Sequence, residues 1–219
     1  MKKRIVIAGG TGLVGRQVVS ELVGLDGINV HMLLRPLSGT PILGVSQHVG
    51  DPANWPDIIG ELRPDVMISC LGTTMKQAGS QDAFRAVDHD LVAAVARSAR
   101  SAGARQMIAV SSVGASSRSS NFYLKTKGEV EDLLRAMDFE RLDIIRPGLL
   151  TGGKRKDYRP GESLGIMLAP LTDLLMLGHF GKYASSPSIK VAQAIVSLAL
   201  GGGHGRFIHE NVSIKVLAG

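Results

Sequence analysis

The amino-acid sequence predicts an α/β fold, a doubly wound parallel sheet with helices on both faces, and three observations carry that expectation. Short apolar runs of strand length alternate with longer helical segments along the first two-thirds of the chain, as in successive βαβ units. Several runs are apolar throughout rather than alternating with polar residues, as strands covered on both faces require. A glycine-rich turn follows the first run.

The strands are expected at Arg4 to Ala8, Ile28 to Leu34, Gln47 to Val49, Val66 to Cys70, Gln106 to Ser111 and Leu142 to Ile145. A first helix begins near Gly12. The clearest helix spans Gln81 to Ala102, with Ser80 placed to cap it, Asp82 favourable in its first turn and Gly103 just past its end. Further helices are expected from Phe122 to Met137 and from Lys190 to Leu200, the latter stopped by Gly201-Gly202-Gly203. Residues 151–162, basic and poor in apolar content, read as a loop. No repeat or interdomain linker interrupts the pattern, so the 219 residues read as one domain with a core at 1–150 and a small C-terminal cap and closing elements at 151–219.

Composition narrows the function. With 44% hydrophobic and 20% charged residues, disorder and a disulfide scaffold are excluded. The single cysteine, Cys70, forms no internal disulfide and suggests a reducing cytoplasm. The run Ile5 to Ala8 after Lys2-Lys3-Arg4 is broken by glycines at 9, 10, 12 and 15, so it reads as a strand rather than a secretory signal. Val191 to Leu200 falls far short of the roughly 20 residues that span a bilayer. A soluble protein without a membrane partner is expected. The net charge of +6 comes from 25 basic against 19 acidic residues. Much of it sits in Lys2-Lys3-Arg4 and in Lys154-Arg155-Lys156 with Arg159. No nucleic-acid-reading motif or interleaved aromatics accompany those clusters, so a small anionic molecule is favoured over nucleic acid.

Gly10-Thr11-Gly12-Leu13-Val14-Gly15 lies between the first strand and its helix and matches the Gly-x-Gly-x-x-Gly dinucleotide fingerprint. Gly9, Gly12 and Gly15 form the variant spaced by three. Early glycines allow a tight turn and close approach to a pyrophosphate, the helix start offers free amides, and Gly15 permits close helix packing. The bland alternative is a simple tight βα turn. At the end of the second strand, where an NAD site places an acid on the ribose, stands Arg35. A guanidinium pairs with a 2′-phosphate, which points to NADP. Arg16, on the first helix, is placed to assist.

Tyr123 and Lys127 are four residues apart on a predicted helix and so share a face. A phenol ordinarily titrates near 10, so as an acid and base it gains from a cation that stabilises the phenolate. Ser111 and Ser112 end the fifth strand at the carboxyl edge, where α/β sites lie.

Together with Cys70-Leu71-Gly72-Thr73-Thr74, Val110 to Ala115, Tyr123 to Glu129 and Arg146-Pro147-Gly148, these residues resemble the short-chain dehydrogenase/reductases. The similarity is to their small atypical branch, which includes the Tat-interacting-protein-like oxidoreductases and their bacterial relatives, and it is strongest over residues 4–148. The resemblance implies a Rossmann domain in which Tyr123 is the general acid/base, Lys127 supports it and holds the nicotinamide ribose, and Ser112 positions a carbonyl. It further implies that Pro147 and Gly148 lie near the nicotinamide, Leu71 and Gly72 pass beside the cofactor, and Asp51 lies near the adenine. Two departures bear on turnover rather than on cofactor binding. Asp88 stands where many members carry an asparagine, and the interval from Ser112 to Tyr123 is two residues shorter than in the standard enzymes.

Other residues take plain roles. Cys70 reads as a buried strand-end thiol rather than a nucleophile, and the scattered histidines, His204 and His209 included, lack metal-ligand spacing. Met167, Leu175 and Met176 read as core or as the contact of a homodimer. The expected function is an NADP(H)-dependent oxidoreductase that transfers hydride to or from a small carbonyl or hydroxyl substrate. The alternative is an NADPH-binding regulatory or interaction protein with little turnover.

Overall fold

Residues 2–36, 42–152 and 185–219 are described by the computed structural model. The basic run Lys154-Arg155-Lys156 with Arg159, most of the loop expected at 151–162, and the Met167, Leu175 and Met176 region lie outside them.

β1 (Lys3–Ala8), β2 (Ile28–Leu34), β3 (Ser46–Val49), β4 (Val66–Ser69), β5 (Gln106–Val110) and β6 (Arg141–Ile145) fall within a residue of the expected bounds. A strand without a sequence signal, β9 (Gly205–His209), lies at the edge beside β6. Together they form one parallel sheet in the order β3-β2-β1-β4-β5-β6-β9. A two-stranded ribbon, β7 (Leu150–Thr151) with β8 (Ser186–Pro187), stands apart from it. The winding direction reverses between β1 and β4, which opens a crevice at their carboxyl ends.

From Ile5 to Ala8, alternate residues of β1 serve two cores, and none of these four touches solvent. Ile5 and Ile7 pack against α1 (Leu13–Leu22) and α7 (Ser188–Leu200), with Val18, Leu22, Val191 and Ile195 among the contributors. Val6 and Ala8 face α2 (Trp55–Leu62) and α5 (Val92–Ser101) through Trp55, Ile59, Val95 and Ala99. This double cover explains the runs of apolar residues without alternation. α2 was not among the expected helices; Pro56 falls in its first turn, where a proline is tolerated. α3 (Met75–Ala78) and α8 (Asn211–Leu217) are short additions. The helix expected over 81–102 exists but is not uniform. α4 (Gln81–Arg85), capped by the Ser80 side chain, passes through a π-wound stretch, Ala86–Leu91, before α5 resumes the ordinary winding. α6 (Phe122–Arg135) starts at an Asn121 cap.

The edge strand β9 has a poor apolar pattern, and a buried charge holds it. Asp143, fully buried at the centre of β6, lies in register with Phe207 of β9 and Ile108 of β5. Its carboxylate accepts from Arg141 Nε at 2.7 Å and from Gln106 Nε2 at 2.8 Å, and His209 Nε2 lies 2.9 Å away. Gln106 also donates to the Leu198 carbonyl of α7 at 3.1 Å. With Nε2 protonated, His209 Nδ1 accepts from Ser213 Oγ at 3.0 Å. Burial pushes the Asp143 carboxyl up, but the bonds from His209, Arg141 and Gln106 outweigh it and hold the group below the usual carboxylate range.

A carboxyl depressed on folding adds stability above its unfolded value, about 3.9, and that stability is lost as pH falls through the folded value. Thermal unfolding followed from about pH 7 to about pH 3 should therefore show Tm falling most steeply below about pH 4. Asp143→Asn should cost about 3 kcal/mol at neutral pH, because its partners lose a buried counter-charge. The variant should also flatten the acid limb.

Candidate active site at the carboxyl edge

β1 ends at Ala8 and α1 starts at Leu13, so the chain must turn within four residues. Gly9 adopts a φ of +82°, and a Cβ there would come within 2.6 Å of the Cys70 carbonyl carbon and oxygen. A Cβ at Gly15 would collide with the Gly9 carbonyl oxygen. These two glycines let the first turn of α1 lie directly on the loop. Gly12 caps α1 with no side-chain bond to the first-turn amides, and no acid lies in that turn. The donors and the positive end of the helix dipole therefore face the crevice without a built-in anion. Thr11 and Gly12 line this turn, Leu13 is half-buried, and the Val14 side chain belongs to the core. Arg16 folds over the turn, with Nη2 donating to the Thr11 carbonyl at 3.2 Å. The arrangement fits a dinucleotide pyrophosphate.

On one side of the turn, Arg35 is exposed at the carboxyl end of β2. The Gly50 amide donates to the Leu34 carbonyl at 2.9 Å, which brings the exit of β3 alongside. Asp51 follows there, exposed, with its carboxylate accepting from the Ala53 amide at 2.8 Å to cap the turn Pro52–Asn54. Arg35 and Asp51 thus stand at neighbouring strand exits on this side of the turn.

The other side is built from β4, β5, β6 and α6. The Ser111 amide donates to the Ile145 carbonyl at 2.7 Å and the Val113 amide to the Pro147 carbonyl at 3.1 Å. The Ser112 loop is thereby stitched to Pro147 and Gly148, and Gly148 in turn donates its amide to Ser186 Oγ at 2.9 Å. Ser112 is half-buried, and among the described residues its Oγ makes only a long contact, 3.4 Å, to the Val113 carbonyl. Tyr123, half-buried in the first turn of α6, packs its ring 5.7 Å from that of buried Phe84. One turn on, Lys127 is buried, and its Nζ lies 2.8 Å from Asp88 Oδ1. A Cβ at Gly72 would sit 3.5 Å from Asp88 Oδ1 and 3.8 Å from Lys127 Nζ. Leu71 is buried in the core while Gly72 is exposed, so the β4 exit carries its backbone past the lysine.

Two features of this edge were not expected from the sequence. The first is the Asp88 to Lys127 pair, which changes the meaning of the departure at position 88. The second is Glu131, one turn beyond Lys127 and nearly fully buried. It accepts from Ser111 Oγ at 2.5 Å, from Arg146 Nε and Nη2 at 2.9 and 2.5 Å, and from Arg135 Nη2 at 2.9 Å. This carboxylate ties α6 to the ends of β5 and β6 and so positions the Ser112 and Pro147 loops. The glutamate lies two residues beyond the Tyr123 to Glu129 motif, and two of its partners, Ser111 and Arg146, are 20 and 15 residues away along the chain. Burial pushes the Cys70 thiol up to about 12, which leaves no thiolate for nucleophilic chemistry near neutral pH. His209 serves the Asp143 network.

A model of the NAD(P)H-binding family matches residues 9–167. Among relatives, the protein FMP52, mitochondrial, of Coccidioides immitis (strain RS) is 30% identical, with 97% of this chain and 92% of that protein covered. Its namesake from Meyerozyma guilliermondii is 38% identical over 77% of this chain and 74% of that protein. Among solved structures, the Bordetella bronchiseptica enzyme WbmH in complex with NAD+ superposes with a TM-score of 0.71 at 15% identity, covering 96% of this chain and 76% of that one. UDP-glucose 4-epimerase from Thermotoga maritima, with UDP-glucose, gives 0.72 at 16% identity, over 98% of this chain and 81% of that one. These structures establish a shared Rossmann fold. The relatives' mitochondrial names overturn the cytoplasmic expectation. That expectation rested on one cysteine, and a chain with one cysteine forms no internal disulfide in any compartment, so the count carries no address.

The close packing at Gly15 yields a direct test. Gly15→Ala should cost about 1 to 3 kcal/mol by overpacking and should abolish the rise in Tm that a nicotinamide dinucleotide gives the native chain. Differential scanning fluorimetry with and without nucleotide reads both effects.

Proposed function

The chain belongs to the NAD(P)H-binding family, of the atypical short-chain dehydrogenase/reductase kind that its motifs resemble, and from that membership we propose that it is an NADP(H)-dependent oxidoreductase. Its substrate is a small carbonyl compound or the corresponding alcohol. The observation that carries the reading is the buried ammonium of Lys127, one helical turn from Tyr123 and beside Gly72, at the same sheet edge onto which the glycine turn opens. A buried cation at that place has a use in holding a ribose and supporting a phenol.

In this reading Gly9, Thr11, Gly12, Leu13, Val14 and Gly15 form the pyrophosphate turn, and Arg35 takes the ribose 2′-phosphate. Asp51 borders the adenine, and Leu71, Gly72, Pro147 and Gly148 line the nicotinamide end. A bound nicotinamide supplies or accepts the hydride. Ser112 Oγ donates to the substrate oxygen and stabilises the charge that develops there. The Tyr123 hydroxyl delivers the proton to that oxygen, so that a carbonyl gaining hydride at carbon and a proton at oxygen leaves as an alcohol. Lys127 supports the tyrosine and holds the ribose hydroxyls. A second reading, nucleotide binding with little turnover, draws support from the Asp88 carboxylate that already occupies Lys127 at 2.8 Å.

Fluorescence titration should give tighter binding of NADPH than of NADH. Arg35→Ala should remove about 10- to 100-fold of that preference, the worth of a charge-assisted hydrogen bond. Equal affinity of the native chain for both nucleotides would overturn the NADP assignment. In a screen of aldehydes, ketones and quinones, Tyr123→Phe should cut NADPH oxidation by about 10² to 10⁴-fold with NADPH affinity nearly unchanged. Lys127→Ala should impair both. A broad screen without turnover, in a chain that binds NADPH, would favour the binding-protein reading.

A further inference from the structure

Asp88 is a nearly fully buried carboxylate that the proposed chemistry leaves unused. It lies in the π-wound stretch Ala86–Leu91, a form of helix that recurs at functional sites. One oxygen, Oδ1, lies 2.8 Å from Lys127 Nζ, and the other, Oδ2, accepts from the Thr73 amide at 2.7 Å. The exposed backbone of Gly72 passes over the pair, since a Cβ there would touch both members. One side chain therefore joins the helix, the exit of β4 and the lysine of α6.

The neighbouring charges have other partners. From α6, Glu129 pairs with Arg85 at the end of α4, and Glu131 is taken by Ser111, Arg135 and Arg146. Within the π-wound stretch, His89 lies 2.7 Å from Asp90. Tyr123 faces this region from α6 with its ring against Phe84. On the exit of β4, Cys70 is held protonated by burial. Among the described residues, Asp88 is thus the counter-charge to Lys127. A charge held out of water beside its partner is locked in place, because separating the two would leave each one buried alone.

We propose that Asp88 is a positioning residue for this site: it fixes the Lys127 ammonium against the Gly72 and Thr73 backbone and offsets the lysine charge, which tempers that charge's pull on the Tyr123 hydroxyl and keeps that hydroxyl protonated to higher pH. The protonated hydroxyl is the form that carbonyl reduction consumes. The proposal rests on the assignment of Tyr123 and Lys127 made above.

The test compares Asp88→Asn with Asp88→Ala in the full chain. Asparagine keeps an oxygen for the Thr73 amide and removes the charge. Alanine removes both. The alkaline absorbance titration assigned to Tyr123, isolated as the difference from the matching Tyr123→Phe chain, should move to lower pH in Asp88→Asn by about one pH unit, as expected when a nearby cation loses its counter-ion. The alkaline fall in the rate of NADPH-driven reduction should move in the same direction. Asp88→Ala should in addition weaken NADPH binding about tenfold relative to Asp88→Asn, because the Thr73 tie is lost. Should burying an unpaired lysine prevent folding, the double variant Asp88→Asn with Lys127→Met removes both charges together. Its titration should return close to that of the native chain. An Asp88→Asn chain whose titration and rate profile match the native ones would overturn the proposal. So would a double variant that is displaced as far as the single one. The absorbance readout needs no turnover. A shift there without any reductase activity would sustain the role of Asp88 while overturning the oxidoreductase reading, so the two can fail separately.

Discussion

A charge removed from water must be met by partners, and the three buried carboxylates among the described residues are placed where separate elements have to be joined. Asp143 joins β6 to β9 and, through Gln106, to α7. Glu131 joins α6 to the exits of β5 and β6. Asp88 joins the π-wound stretch to the exit of β4 and to α6. Apolar burial is non-directional and holds the helices on the sheet without setting them to a fraction of an ångström. A buried carboxylate tolerates only a few donors in few directions, so each such group fixes the relative placement of the elements that supply them. Two of the three lie at the carboxyl edge. The precision of this edge therefore comes from charge pairing laid over a conventional double-sided core.

The parallel sheet itself was open to reading because each element was locally consistent with it. Val6 and Ile7 of β1 are equally apolar, and the structure has a reason for each, since they enter different cores. Where local pattern and environment disagree, the reading fails. β9 runs Gly205-Arg206-Phe207-Ile208-His209, with its middle residues exposed, and it is a strand because His209 reaches Asp143 and because β6 has an edge to fill. Nothing within those five residues states this. α2 likewise forms by burying its own Trp55 and Ile59 in the core, although it is short and carries Gly60.

The candidate site divides the same way. Glycine spacing, a tyrosine and a lysine one turn apart and serines at a strand end are local patterns, and the structure sets them along one sheet edge. The ties that orient them connect residues well separated in sequence, such as Ser111 with Glu131 and Thr73 with Asp88. A single chain without its fold gives no means of pairing Asp88 with Lys127 rather than with any other cation. The winding of Ala86–Leu91 is equally silent in sequence, since α and π turns draw on the same residues.

The chemistry of the donors explains why a carboxylate suits position 88 here, where the resemblance would put an asparagine. Both groups that reach it, the Lys127 ammonium and the Thr73 amide, are donors only. An asparagine has one acceptor oxygen and must turn its own NH₂ towards whatever lies on the other side. Against this pair it would face a donor with a donor and leave a buried ammonium without a counter-charge. A carboxylate accepts from the Thr73 amide with one oxygen and sets the charge of the other beside the lysine. The cost is the freedom of the lysine, whose positive charge is then shared between the fold and the tyrosine one turn away. The site's geometry and the strength of its proton donor are in this way set by the same side chain.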